Sequence, residues 1–355
     1  MKTNRLILLL AGLLSLSTSA MAANVGDVPV HRPLMEEYTG TWCGWCVRGL
    51  VGMELLRDAY GDEFCGVAYH NDDPMQITTS YPNSVNGFPS AYIDRTSSVD
   101  PFYGFGNESA GILNAMQQFA NQPATAGIDV TAQWVDEDRT AISVDVTTYF
   151  TTDVSNANYG IVVMLIADDL YGTGSSWNQA NYYAYSSVAP SYANDRFLGP
   201  WTKKPTSVSG IHFNDVLVGT SNIIANSLPT TIVAYEDYSL NYTFTLNKLP
   251  KPALIQNKDN LHVVVTVVNR TNRRAFNSNR CYIDDWTSPI VLGDVTGNGV
   301  IDISDVTTLI AYLLNGDSEG VNFENSDLDG DGMISISDVT RLIAILLGGE
   351  NIDPE

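Results

Sequence analysis

Two groups of residues in this 355-residue chain have the types and spacing to do chemistry. The first is a pair of thiols, Cys43 and Cys46, in the run Tyr38-Thr39-Gly40-Thr41-Trp42-Cys43-Gly44-Trp45-Cys46, where a strand-like stretch gives way to a helix-like one. Free backbone N–H groups at a helix N-terminus stabilise a thiolate. The first sulfur there becomes a nucleophile at ordinary pH, and the second is placed to resolve a mixed disulfide. Two other uses of the pair stay open. A zinc site would need two more close ligands, for which His70 is poor support. A permanent disulfide staple would need no reactivity at all.

The second group is oxygen-rich. Asp327, Asp329, Asp331, the Met333 carbonyl, Ser335 and Asp338 fall at positions 1, 3, 5, 7, 9 and 12 of a loop with Gly332 at position 6. That is the spacing by which a twelve-residue loop wraps a hard divalent cation, calcium above all. The same template laid 33 residues earlier takes Asp294, Thr296, Asn298, the Val300 carbonyl, Asp302 and Asp305, with Gly299 at the turn. Two calcium ions are expected and no organic cofactor. The second loop should bind more strongly, because Thr296 and Asn298 replace carboxylates in the first.

The elements that must position these residues can be read coarsely. After each calcium loop comes a helical stripe, Ile303 to Gly316 and Ile336 to Gly349, nearly identical in sequence. The stripe Val306, Leu309, Ile310, Leu313 and Leu314 predicts that the two helices pack face to face. Residues 291–350 therefore form a small all-α module of duplicated loop-helix units. Around the thiols, residues 24–122 mix strand-like runs (Leu34 to Tyr38, Phe64 to His70, Ser90 to Asp94) with helix-like ones (Val47 to Ala59, Ser109 to Phe119), an α/β domain. Residues 125–288 carry β-branched runs, Ala141 to Phe150, Ile161 to Ile166, Thr230 to Tyr235 and Leu261 to Asn269, between Gly, Asn, Asp and Ser clusters. That pattern predicts an all-β sandwich domain.

The thiol segment resembles thioredoxin-like oxidoreductases over roughly residues 30 to 120. Pro89, in Gly87-Phe88-Pro89-Ser90, stands in the place of that family's cis-proline loop, and Glu37 in the place of its buried acid. The resemblance implies that Cys43 attacks a protein thiol or disulfide substrate, Cys46 resolves, Glu37 relays a proton, Pro89 positions the partner chain and Trp42 covers the site. The acidic repeat, about Val291 to Gly349, resembles a type I dockerin, with Asp at position 12 of each loop and no entering helix. This implies calcium binding, a cohesin-like partner and frequent association with polysaccharide breakdown. The family often has Ser-Thr just before position 12; here the pairs are Ile303-Ser304 and Ile336-Ser337. Residues 30 to 285, with their EEYTGTWCGWC, HNDDPM, SSWNQANYY and FNDVL runs, look like a Bacteroidetes outer-membrane protein family that joins a thioredoxin-like front to a β domain.

Composition narrows the function classes. Forty acidic against eighteen basic residues give a formal charge of −22, which a nucleic-acid backbone would repel. Residues 293–355 alone hold thirteen acids and a single base, Arg341. Lys2 and Arg5, the apolar run Leu6 to Leu14 and Ala20-Met21-Ala22 read as a signal peptide over residues 1–22. No later run has the ~20 apolar residues of a membrane span. The product is expected to be exported, to the periplasm, the outer membrane or the medium. A Cys65–Cys281 bridge would complete an even cysteine count there, while a buried thiol is the ordinary use of Cys65. His212 and His262 read as packing or surface residues, and Ser175 to Tyr183 as a loop closing a sandwich edge or as an aromatic and amide surface for a sugar or peptide.

Three functions follow: an exported thiol-disulfide oxidoreductase with a calcium-stabilised attachment module, a non-catalytic surface assembly protein on a thioredoxin-like scaffold, and a glycoside hydrolase carrying a dockerin. The middle domain shows no pair of acids that stands out for the third.

Overall fold

The computed structural model describes residues 26, 28–79, 85–222, 226–287 and 290–348, so the expected signal peptide lies outside the described residues. The chain divides into two compact units, residues 1–286 and 287–355.

The first unit opens with β1 (Leu34–Thr39), α1 (Val47–Tyr60), β2 (Cys65–His70), β3 (Ser90–Ile93), β4 (Ser97–Val99) and α2 (Gly111–Ala120). It continues through β5 (Ala126–Trp134), β6 (Ala141–Phe150), β7 (Val154–Ser155), β8 (Tyr159–Ala167), β9 (Gln179–Ala180) and the one-turn α3 (Ala189–Tyr192). The remaining strands are β10 (Ser207–Val208), β11 (Val216–Thr220), β12 (Thr231–Ile232), β13 (Tyr238–Thr245), β14 (Leu261–Asn269) and β15 (Ala275–Asp284). In the second unit, α4 (Ile303–Asn315) and α5 (Ile336–Leu346) are the two long helices.

Residues 24–122 and 125–288, expected as an α/β domain and a separate sandwich, share one mixed sheet. Its order is β13-β6-β5-β15-β14-β8-β11-β2-β1-β3-β4. β1 runs parallel to β2 and antiparallel to β3, while β11 is inserted between the two halves, parallel to β2 and antiparallel to β8. The physical cause lies in β8 and β14, whose sequences YGIVVMLIA and LHVVVTVVN are apolar at almost every position. A strand with two apolar faces must be covered twice. Ile161, Val163, Leu165, Val263, Val265 and Val267 pack with Val130, Val144 and Val146 of β5 and β6. Their neighbours Val162, Met164, Ile166, Val264 and Val268 pack with Leu34, Tyr38, Val67 and Tyr69 of β1 and β2. The other face of β1 and β3 receives the helices: Met35, Ala91 and Ile93 against Met53, Leu56, Ile112 and Met116.

The predicted strand from Thr230 to Tyr235 reduces to the two residues of β12, and Cys281 lies inside β15. In the second unit Val306, Leu309, Val339 and Leu342 meet with Val295 and Leu328 in one small core, as the helical stripe requires. Leu314, expected in that stripe, is exposed instead, while Leu313 beside it packs against that core.

Candidate functional site

The thiol loop sits where β1 hands over to α1. Successive turns, with the Cys43 N–H on the Gly40 carbonyl and the Cys46 N–H on the Cys43 carbonyl, both 3.0 Å, bring Cys46 to the residue before the helix. The two sulfurs are joined as a disulfide. Among the described residues no metal-binding grouping of His, Cys, Asp or Glu gathers around them. Cys43 is 5% exposed and Cys46 not at all, so the expected attacking sulfur is covered. Trp42, 48% exposed, donates its indole N–H to the Asn71 carbonyl at 2.7 Å and meets the Phe88 ring edge-on, which sets the loop carrying Pro89 beside the thiols. The Phe88–Pro89 bond is cis.

Glu37 is buried on the α1 side of β1, against Gly49, where any Cβ would overlap its carboxylate. Burial, with Asp215 and Asp100 nearby, raises its pKa to about 8 despite a hydrogen bond from Thr39. Its Oε1 has no hydrogen-bond partner. The carboxyl is therefore mostly protonated at neutral pH. Asp215, from the FNDVL run, is buried and paired with Arg57 of α1, which ties β11 to the helix that follows the thiols.

Two features around the thiols were not foreseen. Asp73, from HNDDPM, bonds His70 Nδ1 at 2.6 Å and accepts the Thr41 N–H at 3.0 Å. Burial alone would raise its pKa, but the His70 contact and the N–H groups of Thr41 and Met75 outweigh burial and hold it low. The second feature is the SSWNQANYY run, which covers the thiol loop rather than a sandwich edge. The Ala180 N–H donates to the Thr41 carbonyl at 2.7 Å and the Tyr182 N–H to the Gly44 carbonyl at 3.1 Å. The Gln179 amide donates to the Cys43 carbonyl at 2.8 Å, and the Thr41 hydroxyl to the Ser176 carbonyl at 2.8 Å. Gly44 has no side chain because the Tyr182 ring occupies that place. A separation of more than 130 residues hides this pairing from any local reading; the small residue inside the thiol motif is its only trace.

The candidate Cys65–Cys281 bridge is absent: both are free thiols, which burial pushes up to about 12. His212 bonds Asp169 at the surface, and buried His262 lies 3.1 Å from Asp168. The packing and surface roles fit both.

In the second unit the loops take the expected form. Asp294 accepts the N–H groups of Asn298 (3.0 Å) and Gly299 (2.8 Å), and Asp327 those of Gly330 and Gly332 (both 2.9 Å). Gly299 and Gly332 turn at φ of +83° and +81°, a conformation that costs a side chain strain. Asp302 and Ser335 cap α4 and α5, and Asp305 and Asp338 complete the capping boxes from position 12 of each loop. Both position-12 acids are fully buried. Asp338 accepts Leu328 N–H at 2.8 Å and Ser335 N–H at 2.7 Å; Asp305 accepts Thr296 through both its N–H and its hydroxyl, at 2.8 Å each.

The loops differ in how their charges converge. Asp327, Asp329 and Asp338 each offer an oxygen within 4.8 Å of the others, the one such metal-binding grouping among the described residues. Asp331 and the Met333 carbonyl complete the same loop in sequence, and the Met333 N–H is turned onto Asp331 at 2.8 Å. In the first loop Asn298 holds the Val300 N–H in the same way at 2.8 Å. Carboxylates this close repel one another unless a cation lies among them.

No curated protein matches the chain in sequence. Among solved structures, HBP35 of Porphyromonas gingivalis shares 14% identity, covering 72% of this chain and 76% of its own, with a TM-score of 0.49. Protein AGR_C_4864 from Agrobacterium tumefaciens shares 9%, covering 74% of this chain and 98% of its own, at 0.40. A domain of the outer membrane lipoprotein Omp28 from Porphyromonas gingivalis shares 14%, covering 46% of this chain and 92% of its own, at 0.25. Residues 292–347 match the Dockerin type I domain family, and the chain thus carries a calcium-binding module of the kind that implies a cohesin-type protein partner.

Proposed function

We propose that this protein is an assembly component of the cell surface or envelope, attached through calcium-folded residues 291–350 to a cohesin-type partner. The convergence of Asp327, Asp329 and Asp338 carries the reading, in a module whose only base is Arg341. Two ions bind, the second loop more tightly than the first. Asp294, Thr296, Asn298, Val300, Asp302 and Asp305 hold one, and Asp327, Asp329, Asp331, Met333, Ser335 and Asp338 the other. The outward residues support docking: Ile303 is 68% and Ile336 70% exposed, and Leu314 and Leu347 repeat the pattern 33 residues apart. An apolar row duplicated on two helices favours an apolar contact face on the partner. Export agrees with the sequence pattern of residues 1–22, and among the described residues no helix is long and apolar enough to cross a membrane. The test is surface plasmon resonance of the full chain on a panel of cohesin domains. Capture in millimolar calcium that is lost in chelator supports the reading; no capture, with no calcium uptake by calorimetry, removes it.

A second reading is favoured by the disulfide at the head of α1 beside the Pro89 loop. In a thioredoxin-like front, Cys43 exchanges with a protein thiol or disulfide, Cys46 resolves, and Glu37, neutral at pH 7, relays the proton. Covered sulfurs weigh against exchange in this conformation. A Cys46→Ser variant that captures a partner as a mixed disulfide through Cys43 would favour this reading, and one that never does would leave the thiols as a staple.

A further inference from the structure

Residues 176–183, two 3-10 turns flanking the short β9, lie over the turns of the thiol loop and are held to it by hydrogen bonds and ring contacts. The N–H groups of Ala180 and Tyr182 fill the carbonyls of Thr41 and Gly44. Between them the Gln179 side chain, itself 1% exposed, takes the Cys43 carbonyl. Thr41 is held on three sides: its N–H by Asp73, its carbonyl by Ala180 and its hydroxyl by the Ser176 carbonyl. Trp45 meets the rings of Tyr182 and Tyr183 edge-on, at 5.6 and 5.5 Å. Tyr183 is anchored among Val47, Val51, Phe102 and Leu198.

We propose that residues 176–183 are a strap closed over residues 41–44 of the same chain that keeps external thiols from the Cys43–Cys46 disulfide. The carbonyls of Thr41, Cys43 and Gly44 all accept hydrogen bonds from this segment. The strap is fixed more firmly at its Tyr183 end than at its Ser176 end. Residues 175 and 176 are exposed, and the Ser176 carbonyl is held through a single hydroxyl, so opening starts there. Once it lifts, a thiolate attacks Cys43 Sγ, a mixed disulfide forms and Cys46 leaves as a thiolate. The reductant's second thiol then closes its own disulfide and releases Cys43, two electrons having passed to the protein. The inference deepens the thiol-exchange reading, but the strap itself is independent of whether a natural partner exists.

The test follows reduction of the disulfide in the full-length, calcium-loaded protein by dithiothreitol, with alkylation of samples over time and mass analysis of the peptide holding Cys43 and Cys46. Gln179→Ala, Thr41→Val and Tyr182→Ala each remove one contact of the strap. A loss of one buried hydrogen bond makes opening, and so reduction, about tenfold faster. Should Tyr182→Ala fail to fold, the two milder variants decide the matter. Rates equal to wild type in both, with melting temperatures retained, would overturn the strap, as would wild-type reduction as fast as that of the same peptide in urea. Faster reduction combined with no mixed disulfide captured by a Gln179→Ala, Cys46→Ser double variant would keep the strap and remove the exchange reading.

Discussion

Glu37 shows how far burial can move one residue's chemistry. Its carboxyl titrates near 8 in the folded chain and near 4.5 when exposed, so below pH 4.5 it is neutral in both states. As pH rises from 4.5 the unfolded chain ionises first, and the stability present at low pH is lost progressively up to the folded value. Urea unfolding at pH 5 and pH 8 should show this decline, and Glu37→Gln should flatten it and raise stability at pH 8. An identical slope in the variant would sink the assignment. Asp338 is likewise buried, but it is surrounded by donors. Removing it in Asp338→Ala leaves the N–H groups of Leu328 and Ser335 without their acceptor, each worth about 1–3 kcal/mol when buried. Titration calorimetry should then lose the tighter calcium step and keep the weaker one.

At the scale of elements, the doubly buried strands carry the sheet. Val263 and Val264 of β14 point to different cores, and each change to Ala should destabilise the first unit by about 2 kcal/mol. On β13, where alternate residues are exposed, Ser239→Ala should cost less than about 0.5 kcal/mol. Equal, small effects at both β14 sites would show that one face is not packed as described. Much of this level was legible beforehand. Helical spacing located α1 and α2 within two residues, and β6 and β14 coincide with the predicted runs. The runs do not disclose their partners: Ile161 to Ile166 fits a self-contained sandwich, although an unbroken apolar strand requires a second covering layer. β5 and β13 are not among the predicted runs, because Asn, Asp and Gln interrupt them without breaking the pairing.

For the whole molecule, two units and one metal-dependent module predict separable unfolding. Differential scanning calorimetry of the full chain should resolve two transitions, of which calcium raises only the one belonging to residues 287–355. Stabilisation of that unit grows with the logarithm of free calcium once the loops saturate, about 2.7 kcal/mol at a hundredfold excess over the dissociation constant. Reduction of the Cys43–Cys46 disulfide should move the other transition alone. A single transition shifted by both treatments would contradict this independence.

Local spacing was enough to mark the two twelve-residue loops, because every candidate oxygen donor, the turning glycine and the helix cap lie within twelve consecutive residues. It also placed the thiols at the start of a helix, where both neighbours in sequence are neighbours in space. Only the tertiary structure decided that Cys43 is covered, that Cys65 and Cys281 stay apart and that two expected domains share a sheet. Each of those depends on contacts between residues more than a hundred positions apart, and apolar surface has no direction that would say in advance which distant strand will cover it.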